Sequence, residues 1–183
     1  RRQRQMCIRD RKRKVYQELL KWKENTEGKA LCIIGARQIG KTTLIREFGK
    51  NEYEHFAEIN FVTDEKAADI FNDKLTAEAI ITNLTAYLQT PLEPGKTLIL
   101  FDEVQECPAV RSAIKFLVED GRFDYIESGS LLGVRYKEVR SYPVGFEQIL
   151  PMYPLDFEEY LWANGVQDKT LPVSYTHLTL PTK

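Results

Sequence analysis

Cysteine and histidine are too scarce in this sequence to support several kinds of function. Its 183 residues hold three cysteines and two histidines, and Cys7, Cys32 and Cys107 have neither metal-ligand spacing nor the pattern of a disulfide framework. A zinc-stapled module and a disulfide-bonded secreted domain are thereby excluded. Cys32 lies inside an apolar run and reads as a packing residue, while His55, alone beside a strand pattern, is assigned no chemistry. Long apolar runs are also missing, since none approaches the ~20 residues of a membrane span. A cytoplasmic protein with no membrane partner is the expectation. Internal repeats and low-complexity stretches are absent as well, which argues against a stacked-repeat architecture.

A surplus of either charge is lacking. The formal net charge is −1; Arg1, Arg2, Arg4 and Arg9 against Asp10 supply +3 and Lys183 supplies +1, so the chain between them carries −5. An acidic core gives no electrostatic argument for wrapping nucleic acid, although a local basic patch is compatible with it. The end segments, 1–10 and 173–183, resemble translated sequencing-adapter sequence of the kind found at the ends of assembled reading frames, and are set aside as non-native. The alternative is a genuine basic arm. On the first reading the natural protein runs on into a further C-terminal domain. At 43% hydrophobic residues the chain can bury one full core, so one domain over 11–172 is expected.

What the sequence does contain is Gly35-Ala36-Arg37-Gln38-Ile39-Gly40-Lys41-Thr42. It fits G-x-x-x-x-G-K-[ST] at every fixed position and stands between the apolar run Ala30–Ile34 and a helical pattern that starts at Thr43. Strand, glycine loop and helix are the context this motif requires. Its glycines let successive backbone N–H groups point inward at phosphate oxygens, and the helix N-terminus adds partial positive charge. Lys41 is expected to reach the β- and γ-phosphates and the Thr42 hydroxyl to ligate Mg²⁺; Thr43 completes the phosphate-binding set. The bland alternative is a chance glycine turn.

About 60 residues further on, Thr97-Leu98-Ile99-Leu100-Phe101-Asp102-Glu103 is an apolar run closed by two acids. A buried parallel strand reads as a continuous apolar run, and its C-terminal end opens onto the ligand crevice. Asp102 is then placed to hold a metal, and Glu103 to orient and deprotonate an attacking water. An Asp-Glu pair taken alone also fits a solvated strand end. Gln105, two residues on, is in reach of the same water or of the next helix as a cap.

Strand and helix patterns alternate along the chain. An opening helix is predicted over Val15–Lys23, a strand over Phe56–Phe61, helices near Asp64–Phe71 and Thr76–Leu88, a helix begun by Pro108, and a strand over Phe123–Glu127 closed by a Ser128-Gly129-Ser130 turn. Pro151 confines a last strand, near 146–153, to an edge or a strand end, and Asp156 caps a final helix. Such alternation predicts an α/β fold, a P-loop NTPase three-layer sandwich with a mainly parallel central sheet.

The glycine loop, Phe101-Asp102-Glu103-Val104-Gln105-Glu106-Cys107-Pro108, Ile126-Glu127-Ser128-Gly129-Ser130-Leu131-Leu132-Gly133 and Pro154-Leu155-Asp156-Phe157-Glu158-Glu159-Tyr160-Leu161 together carry a resemblance. The chain resembles P-loop AAA-type ATPases of the branch with an extra strand and a catalytic glutamate. More narrowly, it is similar to prokaryotic proteins in which an AAA domain precedes a restriction-nuclease-like domain of unknown function. The resemblance implies ATP and Mg²⁺ as ligands, ATP hydrolysis with Glu103 and Lys41 in the chemistry, and Ser128 or Ser130 as a γ-phosphate sensor. It also implies homo-oligomers and, through the further domain, nucleic acid as a partner. Some relatives carry a basic residue where this chain has Phe146, so the cation that senses phosphate is sought among Arg111, Arg135 and Arg140. A nucleotide-binding switch or adaptor with little turnover is the rival reading, and the ATPase subunit of a DNA-processing system, by analogy with the family's further domain, is the third.

Overall fold

The structure, a computed structural model, describes residues 13–25, 28–71, 76–88, 92–130 and 145–165. Segments 1–10 and 173–183, with Arg135 and Arg140, lie outside the described residues. Two compact units are present among them: residues 15–154, and residues 13–14 with 155–165.

The larger unit is built on five strands, β1 (Ala30–Gly35), β2 (His55–Asn60), β3 (Thr97–Asp102), β4 (Asp124–Ser130) and β5 (Glu147–Pro151), in the order β2-β3-β4-β1-β5. Every pairing is parallel. The helix α1 (Lys14–Glu24) leads into β1; parallel strands need crossovers, and these carry α2 (Lys41–Glu52), α3 (Ala77–Leu88) and α4 (Pro108–Asp120), plus 3₁₀ helices at Glu65–Phe71 and Val104–Glu106. Alternation along each strand divides the apolar core in two. Leu31, Ile33, Leu98, Leu100 and Ile126 pack with Leu19 and Trp22 of α1 and with Leu44, Ile45 and Phe48 of α2. Ile99, Phe101 and Tyr125 face α3 and α4 through Ile80, Leu84, Val110, Ile114 and Leu117. Helices on both faces cover the central strands, and β3 is buried along its whole length and reads as a continuous apolar run.

Local chemistry explains the boundaries. Pro108 occupies the first turn of α4, where its missing N–H goes unused. β5 is the edge strand beside β1 and ends at Pro151, as expected of a residue that cannot donate to a ladder. Two expectations differ in the structure: the helix expected near Asp64–Phe71 is a 3₁₀ helix over Glu65–Phe71, and β4 runs further than expected. Ser128, Gly129 and Ser130 are not a turn after the strand but its last residues, paired with Ile33, Ile34 and Gly35. The small residues there continue the ladder because β1 supplies their backbone partners.

In the smaller unit Asp156 caps α5 (Phe157–Ala163) in a capping box, accepting from the Glu159 N–H at 2.8 Å while Glu159 accepts from Asp156 N–H. Arg13 and the Lys14 N–H are both held by Glu159, at 3.1 and 2.8 Å.

Candidate nucleotide site

The strand order places β4 between β1 and β3, so the glycine loop at the end of β1 and the acidic pair at the end of β3 open from the same edge of the sheet. The loop is forced to be glycine at its start. A Cβ on Gly35 would stand 2.3 Å from the Met152 carbonyl oxygen and 2.7 Å from the Ile39 side chain, inside any tolerable contact. Gln38 and Gly40 have φ of 63° and 94°, left-handed values that turn the intervening N–H groups to one side. Gly40 is the N-cap of α2 and supplies no side-chain cap. The first N–H groups of the helix are thus left to an anion, with the helix dipole behind them.

Lys41 begins α2 nearly buried, at 5% exposure, and donates its Nζ to the Gly35 and Ala36 carbonyls at 3.2 and 2.9 Å. One turn of sequence thereby folds the ammonium back over the loop. Arg37 and Gln38 are exposed. Beside them opens a cleft of about 640 Å³, lined by Arg37, Gln38, Asn60, Phe61, Val62, Thr63, Glu65, Ala68, Glu103 and Glu106.

Asp102 is the polar centre of the site. At 1% exposure its carboxylate accepts from Thr42 Oγ1 at 3.0 and 3.2 Å, from Asn60 Nδ2 at 2.9 Å, and from Ser128 Oγ. A buried carboxylate requires such donors to offset lost hydration. The structure therefore brings Thr42, Asp102 and Ser128 together. It also adds Asn60, which sequence reading passed over: an asparagine at the end of a strand carries no motif, and only the β2–β3 register opposes it to Asp102. Asn60 Oδ1 in turn accepts from the Val62 and Thr63 N–H groups, so one side chain fixes both the carboxylate and the turn lining the cleft. Ser130 is buried at the strand end, where its N–H donates to Gln105. Glu103 stands half-buried with φ of 58° and ψ of 46°, a left-handed conformation uncommon outside glycine.

The oxygen donors of Thr42 and Asp102 suit a hard divalent cation such as Mg²⁺, which takes oxygen ligands and keeps several waters. Cys32, on the other face of β1, offers no such chemistry.

A family model described as "AAA domain" matches residues 27–161. The chain belongs to this AAA domain family. No curated protein sequence matches it. Among solved structures, this AAA domain is similar to the Pif1 helicase from Candida albicans, with 14% identity, a TM-score of 0.51, and coverage of 79% of this chain and 40% of the helicase. Drosophila ORC bound to AT-rich DNA and Cdc6 aligns at 10% identity and a TM-score of 0.47, with 80% of this chain and 59% of that chain covered. The chain spans less than two thirds of either neighbour, and at 14% identity the likeness to the helicase is one of fold.

Arg111, one of the three arginines considered for the cation near the phosphates, is committed elsewhere in this AAA domain. Arg111 of α4 is 3% exposed and donates to Glu127 of β4 at 2.9 Å, to Glu147 of β5 at 2.8 Å and to Cys32 Sγ of β1 at 3.1 Å. It ties three strands together from the face of the sheet opposite α2. Phe146, where the resemblance suggests a basic residue, is half-buried and accepts the Ala30 N–H at 2.9 Å through its carbonyl. Among the described residues no helix is long and apolar enough to cross a membrane.

Proposed function

We propose that this AAA domain binds ATP with Mg²⁺ and hydrolyses the β–γ phosphoanhydride. The observation that carries the reading is the convergence on Asp102: a hydroxyl from the helix after the glycine loop and the acidic end of β3 meet within hydrogen-bonding distance. Thr42 and Asp102 would hold Mg²⁺, whose contribution is to neutralise charge on the phosphate oxygens. The N–H groups of the loop and of the first turn of α2 receive the phosphates, and Lys41 exchanges its loop carbonyls for the β- and γ-phosphate oxygens. Glu103 takes a proton from water as the water oxygen bonds to Pγ. The bond between Pγ and the bridging oxygen breaks, leaving ADP and inorganic phosphate. Ser128, hydrogen-bonded to Asp102 on the neighbouring strand, holds the metal-binding carboxylate in place.

The test separates binding from chemistry. Glu103→Gln keeps the shape of the side chain and removes the base, so Mg-ATP should bind as in the wild type while phosphate release falls by roughly 10²–10⁴-fold. Release at the wild-type rate would make Glu103 a structural strand-end acid and favour a nucleotide-binding switch.

A further inference from the structure

We propose that Gln105 is the positioning residue for Glu103, linking the base to the strand rung beside the phosphate loop. This rests on the hydrolytic reading above and extends it to a side chain that the reaction itself does not require. Gln105 Nε2 donates to Glu103 Oε2, and Gln105 Oε1 accepts from the Ser130 N–H at 3.3 Å.

The two contacts fix the orientation of the amide. A carboxylate can only accept and a backbone N–H can only donate, so just one of the two amide orientations satisfies both partners. Ser130 is the last residue of β4 and pairs with Gly35, the first residue of the glycine loop. A single side chain therefore ties the carboxylate of Glu103 to the rung from which the phosphate loop departs. The backbone gives Glu103 a reason to need this. It leaves β3 in a left-handed conformation, and its side chain is half-exposed on the cleft. A base must lie within hydrogen-bond reach of one particular water, and small displacements lower rates steeply. The 3₁₀ turn Val104–Glu106 brings Gln105 back toward the site. It does not cap α4, whose N-cap Cys107 has no side-chain cap bond.

The experiment is a cycle of wild type, Gln105→Leu, Glu103→Gln and the double variant, each measured by single-turnover phosphate release with protein in excess over Mg-ATP and by calorimetric ATP affinity. Gln105→Glu is run beside Gln105→Leu as a second variant of native length that cannot donate to Glu103. Both Gln105 variants should lose about 10- to 100-fold in the release rate with ATP affinity within about twofold of wild type. In the Glu103→Gln background the Leu substitution should change nothing further, because the group it positions no longer acts as a base. Losses that multiply in the double variant would mean that Gln105 acts on the water independently, and would overturn the proposal. Unchanged release, or loss of affinity and melting temperature together, would overturn it as well. Glu103→Gln turning over at the wild-type rate would refute the base assignment, and the positioning role with it.

Discussion

Thr42 donates its hydroxyl to the carboxylate of Asp102 at 3.0 and 3.2 Å, across 60 residues of sequence. The contact joins the first turn of α2 to the last residue of β3, the two places where a parallel sheet of this order opens its crevice. Both groups offer oxygen ligands and one is a charge, the chemistry that a hard divalent cation takes.

Thr42→Val should therefore act on the metal-dependent part of binding. ATP affinity in the presence of a chelator should stay near the wild-type value, while the gain produced by adding Mg²⁺ should shrink by about 10-fold or more, the equivalent of one charge-assisted contact. Thr42→Ser retains the hydroxyl and should retain the gain. Calorimetric titrations with and without Mg²⁺ decide it; an identical Mg²⁺ gain in the valine variant would remove Thr42 from the metal site.

Lys41 presents a different chemistry, a buried ammonium resting on two loop carbonyls. Lys41→Ala should weaken Mg-ATP binding by roughly 1.5–3 kcal/mol, or about 10- to 150-fold in dissociation constant. Unchanged affinity would show that the loop is not the phosphate site.

How much of this was legible depended on where the information lies. The glycine loop, Lys41, Thr42, Asp102 and Glu103 are local motifs whose flanking apolar runs name the strand and helix, so sequence alone places them at the C-terminal ends of parallel strands, where the crevice opens. The parallel sheet follows from the same runs. Asn60 and the triad of Arg111, Glu127 and Glu147 were not legible, because each acquires its partner only from register: Asn60 opposes Asp102, and Cys32 opposes Glu127. Ser128 was placed in a turn because serine and glycine are turn residues, whereas pairing with β1 makes them strand. Gln105 was recognised as being near the chemistry, but its two partners, Glu103 and the Ser130 N–H, belong to the folded chain.

The buried triad has a consequence for pH. Two carboxylates face one guanidinium, which leaves one negative charge unbalanced. Burial, opposed by Arg111 and reinforced by Glu147, pushes the Glu127 carboxyl up from 4.5 to about 8. Between those values the folded chain keeps a proton that the unfolded chain has released. Stability from this group is therefore full below about pH 4.5, is lost as pH rises towards 8, and is level above it. Glu127→Gln is neutral throughout and should lack that slope. Melting curves at steps from pH 5 to 8.5 should show wild type losing ground to the variant as pH rises, and a constant difference would contradict the assignment.

Phosphoryl transfer in such folds is commonly accelerated by an arginine, worth about 10³–10⁵ in rate. Of the five arginines among the described residues, Arg13, Arg46, Arg111 and Arg122 are ion-paired to Glu159, Glu58, Glu127 with Glu147, and Asp120 with Glu78. Arg37 is exposed and lines the same cleft as Glu103, and position 146 is phenylalanine rather than a cation. A dilute chain should accordingly bind ATP but hydrolyse it slowly. Turnover per protomer should rise with protein concentration if a second copy presents an arginine to the cleft. The measurement is phosphate release across a concentration series spanning at least two decades, for wild type and Arg37→Ala. A rate that is fast, independent of concentration and abolished by Arg37→Ala would instead mean that the loop carries its own catalytic arginine and that assembly is not needed for chemistry.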